Sequence, residues 1–272
     1  GIVLAVTEHS GYEKVKPIIA VTDDSPVLSA DMIKLALFMR DRFFCTVYSA
    51  ARAMLPAGLW FDDDGKRRVQ DKTVEMSRLC VPAADAAAAA EAKRRRSPQQ
   101  AALLEMLCSF EALPSSDLLR HTGAKRPALK VLEKAGLVEF THREVFRRPE
   151  VYVGELEPLP VLNAEQQQAF DGLSALETSG AAHAALLHGV TGSGKTSVYI
   201  HLIRRCLDMG RAAILLVPEI ALTPQMLRTF SSHFGDEIAV LHSSLSTGER
   251  YDEWKRIKQG KAHVVIGTRS AI

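Results

Sequence analysis

The chain has 272 residues, 47% of them hydrophobic and 24% charged, an ordinary globular composition with room for one to three domains. Its net charge of +2 excludes a global field for nucleic acid, so any basic site is local. The four cysteines (Cys45, Cys80, Cys108, Cys206) stand far apart with no CxxC or Cys/His cluster, which argues against zinc held by this chain and fits a reducing compartment. No apolar run approaches the roughly 20 residues of a membrane span and no signal-peptide pattern opens the chain, so a cytoplasmic protein with no membrane partner is expected. The chain starts at Gly1 and stops at Ile272 just after a strand-like run, so a fragment cut at both ends is also expected.

Three regions separate. In residues 1–75, "GIVLAV" and "KPIIAV" read as short strands. "SADMIKLALFMRDRFF" places Met32, Leu35, Ala36, Met39 and Phe43 at helical spacing, with Ser29 as N-cap. A second helical run, "VYSAARAMLPAGL", stops near Pro56 and Gly58. "DDDGKRR", Asp62–Arg68, fails as a calcium loop because Lys66 stands where an oxygen ligand is needed, and reads as a charged turn. Residues 76–96 hold an alanine-rich helical linker, "PAADAAAAAEAKRRR", whose basic end complements the helix C-terminus.

Residues 97–150 read as three helices and a hairpin. Ser97-Pro98 opens the first helix, Ser115 or Ser116 the second, and "KRPALKVLEKAG" forms the third, ended by Gly136. A strand at Leu137–Phe140 follows, with "THREVFRR" as wing turn and return strand. This is a winged-helix-like pattern. Lys125, Arg126 and Lys130 lie on the third helix, either meeting DNA or decorating a packing module.

Residues 151–272 begin with an extended linker and then carry the most specific signal. Gly189-Val190-Thr191-Gly192-Ser193-Gly194-Lys195-Thr196 fits GxxxxGK[ST]. "AALL" precedes it as an expected buried strand, and "TSVYIHLIRRCLDMG" follows as a helix closed by Gly210. A second strand, "AAILLVP", completes a βαβ unit. Glycines let backbone N–H groups face phosphates, and the helix N-terminus adds partial positive charge. Lys195 then reaches the β- and γ-phosphates, and the Thr196 hydroxyl is a Mg²⁺ ligand.

Upstream, Asn163 caps a helix whose Gln166 amide can pair with an adenine edge. Downstream, Thr223 and Pro224 restart a helix after "VPEIAL", Ser246 and Glu249 form a capping box, and "AHVVI" runs into "GTRSAI". Thr223, His242-Ser243 and Thr268-Arg269 stand at successive strand ends, where open α/β sheets bind ligands. His242 reads as a positioned or packed histidine rather than a base.

The segments "LNAEQQQAF", "LLHGVTGSGKTSVYI", "VPEIALTPQ", "LHSSLSTGER" and "VIGTRSAI", in that order, resemble the first motor lobe of a superfamily 2 helicase. More narrowly they resemble the primosomal protein N′ family of replication-restart DNA helicases. "RFFCTVYSAARAMLPAGL" is similar to the end of that family's DNA 3′-end-binding domain, and the winged-helix-like region falls where the family has one. The resemblance implies a multi-domain α/β protein: a RecA-like P-loop lobe with a parallel sheet, preceded by a winged-helix domain and part of a small α+β domain. It implies ATP and Mg²⁺ as cofactors, with Gln166 and 189–196 holding the nucleotide. It implies branched and single-stranded DNA as ligands, gripped by Thr223, Gln225, Thr268 and Arg269, and primosome and single-strand-binding proteins as partners. The family's D-E-x-H motif, its zinc-binding cysteine clusters and its second motor lobe are absent from this sequence. The chain alone is therefore expected to bind nucleotide without efficient turnover. Two alternatives remain: another branch-processing translocase of the superfamily, and a nucleotide-gated DNA-binding module with no turnover.

Overall fold

A computed structural model describes residues 3–4, 6–11, 13–18, 21, 26–60, 69–149 and 155–271. Contacts divide the chain into two compact units. One is Gln70–Arg147; the other combines Gly1–Val69 with Arg148–Ile272.

In the two-segment unit, helix α1 (Ala30–Phe43) starts at Ser29, whose hydroxyl accepts the Met32 N–H as its position predicts. Helix α2 (Val47–Ala53) is capped the same way by Thr46 and gives way to a 3-10 turn at Ala57–Leu59. The described residues of the two expected N-terminal strands are irregular, and the Asp62–Arg68 turn lies outside the described residues. Leu28, Ala51 and Leu55 form a small core joined by Trp60 and by Trp254 from later in the chain.

The Gln70–Arg147 unit contains strand β1 (Thr73–Leu79), helix α3 (Ala83–Lys93) and helix α4 (Pro98–Cys108). Strand β2 (Leu113–Pro114), helices α5 (Ser115–Thr122) and α6 (Arg126–Lys134) and strand β3 (Val138–Glu144) follow. The sheet order is β2-β1-β3, antiparallel throughout. Two expectations differ here. The alanine-rich run does not stand apart as a linker. It supplies α3, which packs on α4 and buries Ala86 and Ala90, one turn apart and small enough for close helix contact. Nor does "THREVFRR" turn back as a wing. No Gly, Pro, Asn or Asp interrupts 140–144, so the strand runs on, and its partner is β1, with Thr73 opposite Glu144 through Leu79 opposite Val138. Leu103, Leu104, Leu107, Leu118, Leu129 and Leu132 close one core, each fully or almost fully buried.

The rest of the two-segment unit is an α/β lobe. Helix α7 (Ala164–Thr178) opens with a capping box between Asn163 and Gln166. Helix α8 (Lys195–Asp208), strand β4 (Ala213–Leu216), helix α9 (Pro224–Phe234), strand β5 (Ile238–Leu241), helix α10 (Thr247–Lys258) and strand β6 (Val264–Gly267) follow. The three strands are parallel in the order β4-β6-β5. Strands β5 and β6 are buried on both faces, as parallel strands under helices should be. Ile200, Ile203, Phe230, Phe234, Val240, Val264 and Ile266 form the core between sheet and helices.

Strand β4 is different, since it leaves Ile214 and Leu216 exposed. The strand expected at 184–187 does not form either. That run is irregular and Leu186 is 88% exposed. A single strand gains nothing without a paired edge to satisfy its N–H and C=O groups, and here it has none.

Candidate nucleotide and nucleic-acid site

The glycine-rich loop turns as its residues dictate. The Ser193 N–H bonds to the Val190 carbonyl at 3.2 Å, and Gly192 and Gly194 take φ of 81° and 79°, which only glycine adopts without strain. Gly194 is the N-cap of α8, so Lys195 and Thr196 open the helix with its first N–H groups directed at the loop. The Lys195 ammonium donates to the carbonyls of Gly189 (2.7 Å) and Val190 (2.9 Å). Gly189 is confined: a Cβ there would sit 2.7 Å from Ser193 Oγ. Val190 and Thr191 in the loop and Thr196 in the first turn of α8 are exposed.

Gln166 lies beside this loop. Its Oε1 accepts the Asn163 N–H, and its Nε2 donates to the Ser193 carbonyl at 3.0 Å. The helix start and the glycine-rich loop are thus tied by one side chain. A side chain on Gly194 would collide with that amide, which gives this glycine a second reason to be glycine.

At the carboxyl ends of the sheet, the predicted residues divide into two kinds. The Thr223 hydroxyl caps α9 by accepting the Met226 N–H, leaving Gln225 exposed in the first turn. Thr268 is buried, its N–H donating to the Leu241 carbonyl, while Arg269 is exposed in the 3-10 turn Arg269–Ala271. His242 is pushed below its ordinary pKa, first by burial and then by the neighbouring Arg250 cation, so it is neutral at pH 7.

Sequence reasoning missed three residues here. The Arg250 guanidinium reaches the carbonyls of His242, Ser243 and Leu245 and so holds the turn after β5. Glu219, in a 3-10 turn after β4, accepts a hydrogen bond from Ser243 Oγ at 3.0 Å. Gly267 ends β6 where a Cβ would strike the Leu241 carbonyl oxygen and lie 2.6 Å from the Ala271 Cβ. A glycine at a strand end signals such close approach in the sequence, whereas the two polar ties have no local signature.

In the Gln70–Arg147 unit, Lys125 precedes α6 as its N-cap residue and Lys130 is exposed on the helix. Arg126 is committed elsewhere. Its guanidinium grips both Glu75 oxygens, at 2.5 and 2.6 Å, and stacks over the Phe140 ring at 4.9 Å. That hydrogen-bonded cation pulls the Glu75 carboxyl down to about 2.

Among the described residues, no helix is long and apolar enough to cross a membrane. The DEAD/DEAH box helicase family matches residues 163–272, and the 3′DNA-binding domain (3′BD) family matches residues 1–56. The replication restart protein PriA of Bacillus subtilis (strain 168) is 32% identical over 332 residues, covering 100% of this chain and 41% of that protein. PriA of Chlamydia pneumoniae is 30% identical over 275 residues, covering 100% of this chain and 36% of the relative. PriA of Treponema pallidum (strain Nichols) is 48% identical over 111 residues, covering 41% of this chain and 16% of the relative. The chain therefore spans less than half the length of these curated relatives. The lobe that carries the glycine-rich loop lies within the DEAD/DEAH box helicase match, and over its whole length the chain is similar to replication restart proteins PriA.

Proposed function

We propose that this chain is the nucleotide- and DNA-binding part of an ATP-dependent helicase that binds branched DNA, unwinds it and restarts stalled replication forks in the cytoplasm. The observation that carries the reading is the placement of the glycine-rich loop at the start of α8 in a lobe whose other strand ends present polar groups. The residues fit a Mg²⁺-nucleotide: two glycines at positive φ bare the loop's N–H groups, and the Lys195 ammonium already rests on two oxygens. Lys195 then binds the β- and γ-phosphates, Thr196 holds Mg²⁺ and Gln166 reads adenine, with Gly189, Val190, Thr191, Gly192, Ser193 and Gly194 wrapping the phosphates. Bound ATP supplies the phosphoanhydride whose cleavage powers a motor of this class. Thr223, Gln225 and Arg269, exposed at the strand ends, contact single-stranded DNA, and Thr268, expected from the sequence to join them, is buried and supports the turn instead.

The small antiparallel sheet with α4, α5 and α6 supports a winged-helix-like module whose Lys125 and Lys130 meet DNA phosphate. Residues up to about 75 act as part of the 3′-end-binding domain, and residues 151–272 as part of motor lobe 1. Primosome and single-strand-binding proteins are the expected partners, and zinc is expected only where cysteine clusters exist, outside this sequence. One observation favours a second reading, a nucleotide-gated DNA-binding module without turnover: the sequence contains no D-E-x-H run.

The test is a titration of Mg²⁺-ATP and Mg²⁺-ADP against the chain and its Lys195→Ala variant, with turnover followed with and without forked DNA. Binding lost in the variant, with no turnover, supports a nucleotide-binding lobe that needs further parts. DNA-stimulated turnover instead means that an acid within this chain does that work. Nucleotide binding unchanged by Lys195→Ala overturns the assignment of the loop.

A further inference from the structure

Glu219 is out of place on a surface meant for a polyanion. It sits in the turn between β4 and α9, beside Thr223 and Gln225, and a carboxylate there repels a phosphate backbone. Its geometry supplies a reason for its presence. Strand β6 separates β4 from β5, so the turns that follow β4 and β5 are not neighbours in the sheet. The Ser243–Glu219 hydrogen bond of 3.0 Å spans that gap. The turn after β5 is also fixed by other bonds: the Leu245 N–H donates to the His242 carbonyl, and Arg250 gathers the carbonyls of His242, Ser243 and Leu245. Glu219 is the group that ties the exposed side of this turn to the turn after β4.

We propose that Glu219 is a positioning residue for the DNA ledge, its carboxylate holding the Ser243 hydroxyl so that the turns after β4 and β5 present one rigid surface to a single strand. This rests on the reading of these strand ends as a single-strand contact. Two opposed effects follow from one side chain, since its charge weakens DNA binding and its hydrogen bond strengthens it. Substitution separates them. Glu219→Gln removes the charge and keeps an acceptor, whereas Glu219→Ala removes both.

The experiment measures binding of a labelled oligo-dT single strand by fluorescence anisotropy at several salt concentrations. It uses the full chain, Glu219→Gln, Glu219→Ala, Ser243→Ala and the double alanine variant. Thermal midpoints and Mg²⁺-ATP binding serve as fold controls. Ser243→Ala, which keeps the charge, is expected to weaken binding about three- to tenfold, the size of one hydrogen bond, and Glu219→Ala by less, because it also lifts the repulsion. The salt slope should not change, because no phosphate contact is lost. The double variant should be no weaker than either single one, the mark of a shared interaction. Glu219→Gln should bind as well as the unaltered chain or better. Tighter binding by Glu219→Ala, or losses that add in the double variant, overturns the proposal. Ser243→Ala, a small change at an exposed position, decides the matter if Glu219→Ala fails the fold controls. A parent chain with no affinity for oligo-dT overturns the single-strand ledge itself and this inference with it. An intact parent affinity with an unchanged Ser243→Ala overturns the inference alone.

Discussion

The two sheets among the described residues are finished to different degrees. In the Gln70–Arg147 unit, β1 is flanked by β2 and β3, and the leucines of α4, α5 and α6 meet in one closed core. In the α/β lobe, β6 and β5 are covered on both faces, but β4 shows Ile214 and Leu216 to solvent and the run before the glycine-rich loop is unpaired. Strands β4 and β5 each pair only with β6, so the difference between them lies in the cover over their faces. Composition alone made "AALL" look like a strand, but the pairing that would make it one is missing.

If this contrast is physical, core substitutions should separate the two sheets. The largest expected effect is Leu104→Ala in the closed core, which should cost about 2–5 kcal/mol by lost burial plus a cavity, read from the denaturant midpoint at constant m-value. A cost below about 1 kcal/mol would mean that this core is loosely packed. In the lobe, Gly267→Ala should cost about 1–3 kcal/mol, because the new methyl must displace the Leu241 carbonyl or Ala271. The Glu75–Arg126 pair should contribute no more than about 1 kcal/mol, since both partners touch solvent. Its pH dependence fixes its sign. The folded pKa of Glu75 is depressed to about 2, so the contribution is complete above the ordinary glutamate value and fades as pH falls toward 2. Melting of the parent chain and Glu75→Gln from pH 7 downward should therefore converge in acid. Ile214→Thr is expected to be the smallest change, within about 0.5 kcal/mol, because that side chain is already 60% exposed. A large cost there would show that the face of β4 is covered in solution and would erase the contrast.

Much of this was legible from local chemistry. Ser29, Asn163, Thr223 and the Ser246–Glu249 box each announce a helix start through a short polar side chain that accepts a backbone N–H. The loop at 189–196 was legible because glycine spacing and Lys-Thr are fixed by backbone geometry. Long-range pairing was not. Strand β3 lies some sixty residues from its partner β1, and nothing in "THREVFRR" names that partner. The pairing of Arg126 was hidden for the same reason. A basic residue on an exposed-looking helix reads as free until Glu75, 51 positions away, is found against it.

Gln166 has a consequence for selectivity. Both ends of its amide are already spent, one on Asn163 and one on Ser193. To face a base, the side chain must exchange these bonds one for one, and such trades between neutral groups nearly cancel in free energy. Under the proposed reading, the residue then adds little to how tightly a nucleotide is held. It acts as a filter: a base with the wrong donors and acceptors leaves a polar group unmatched, at about 1–3 kcal/mol, or roughly ten- to a hundredfold against the impostor.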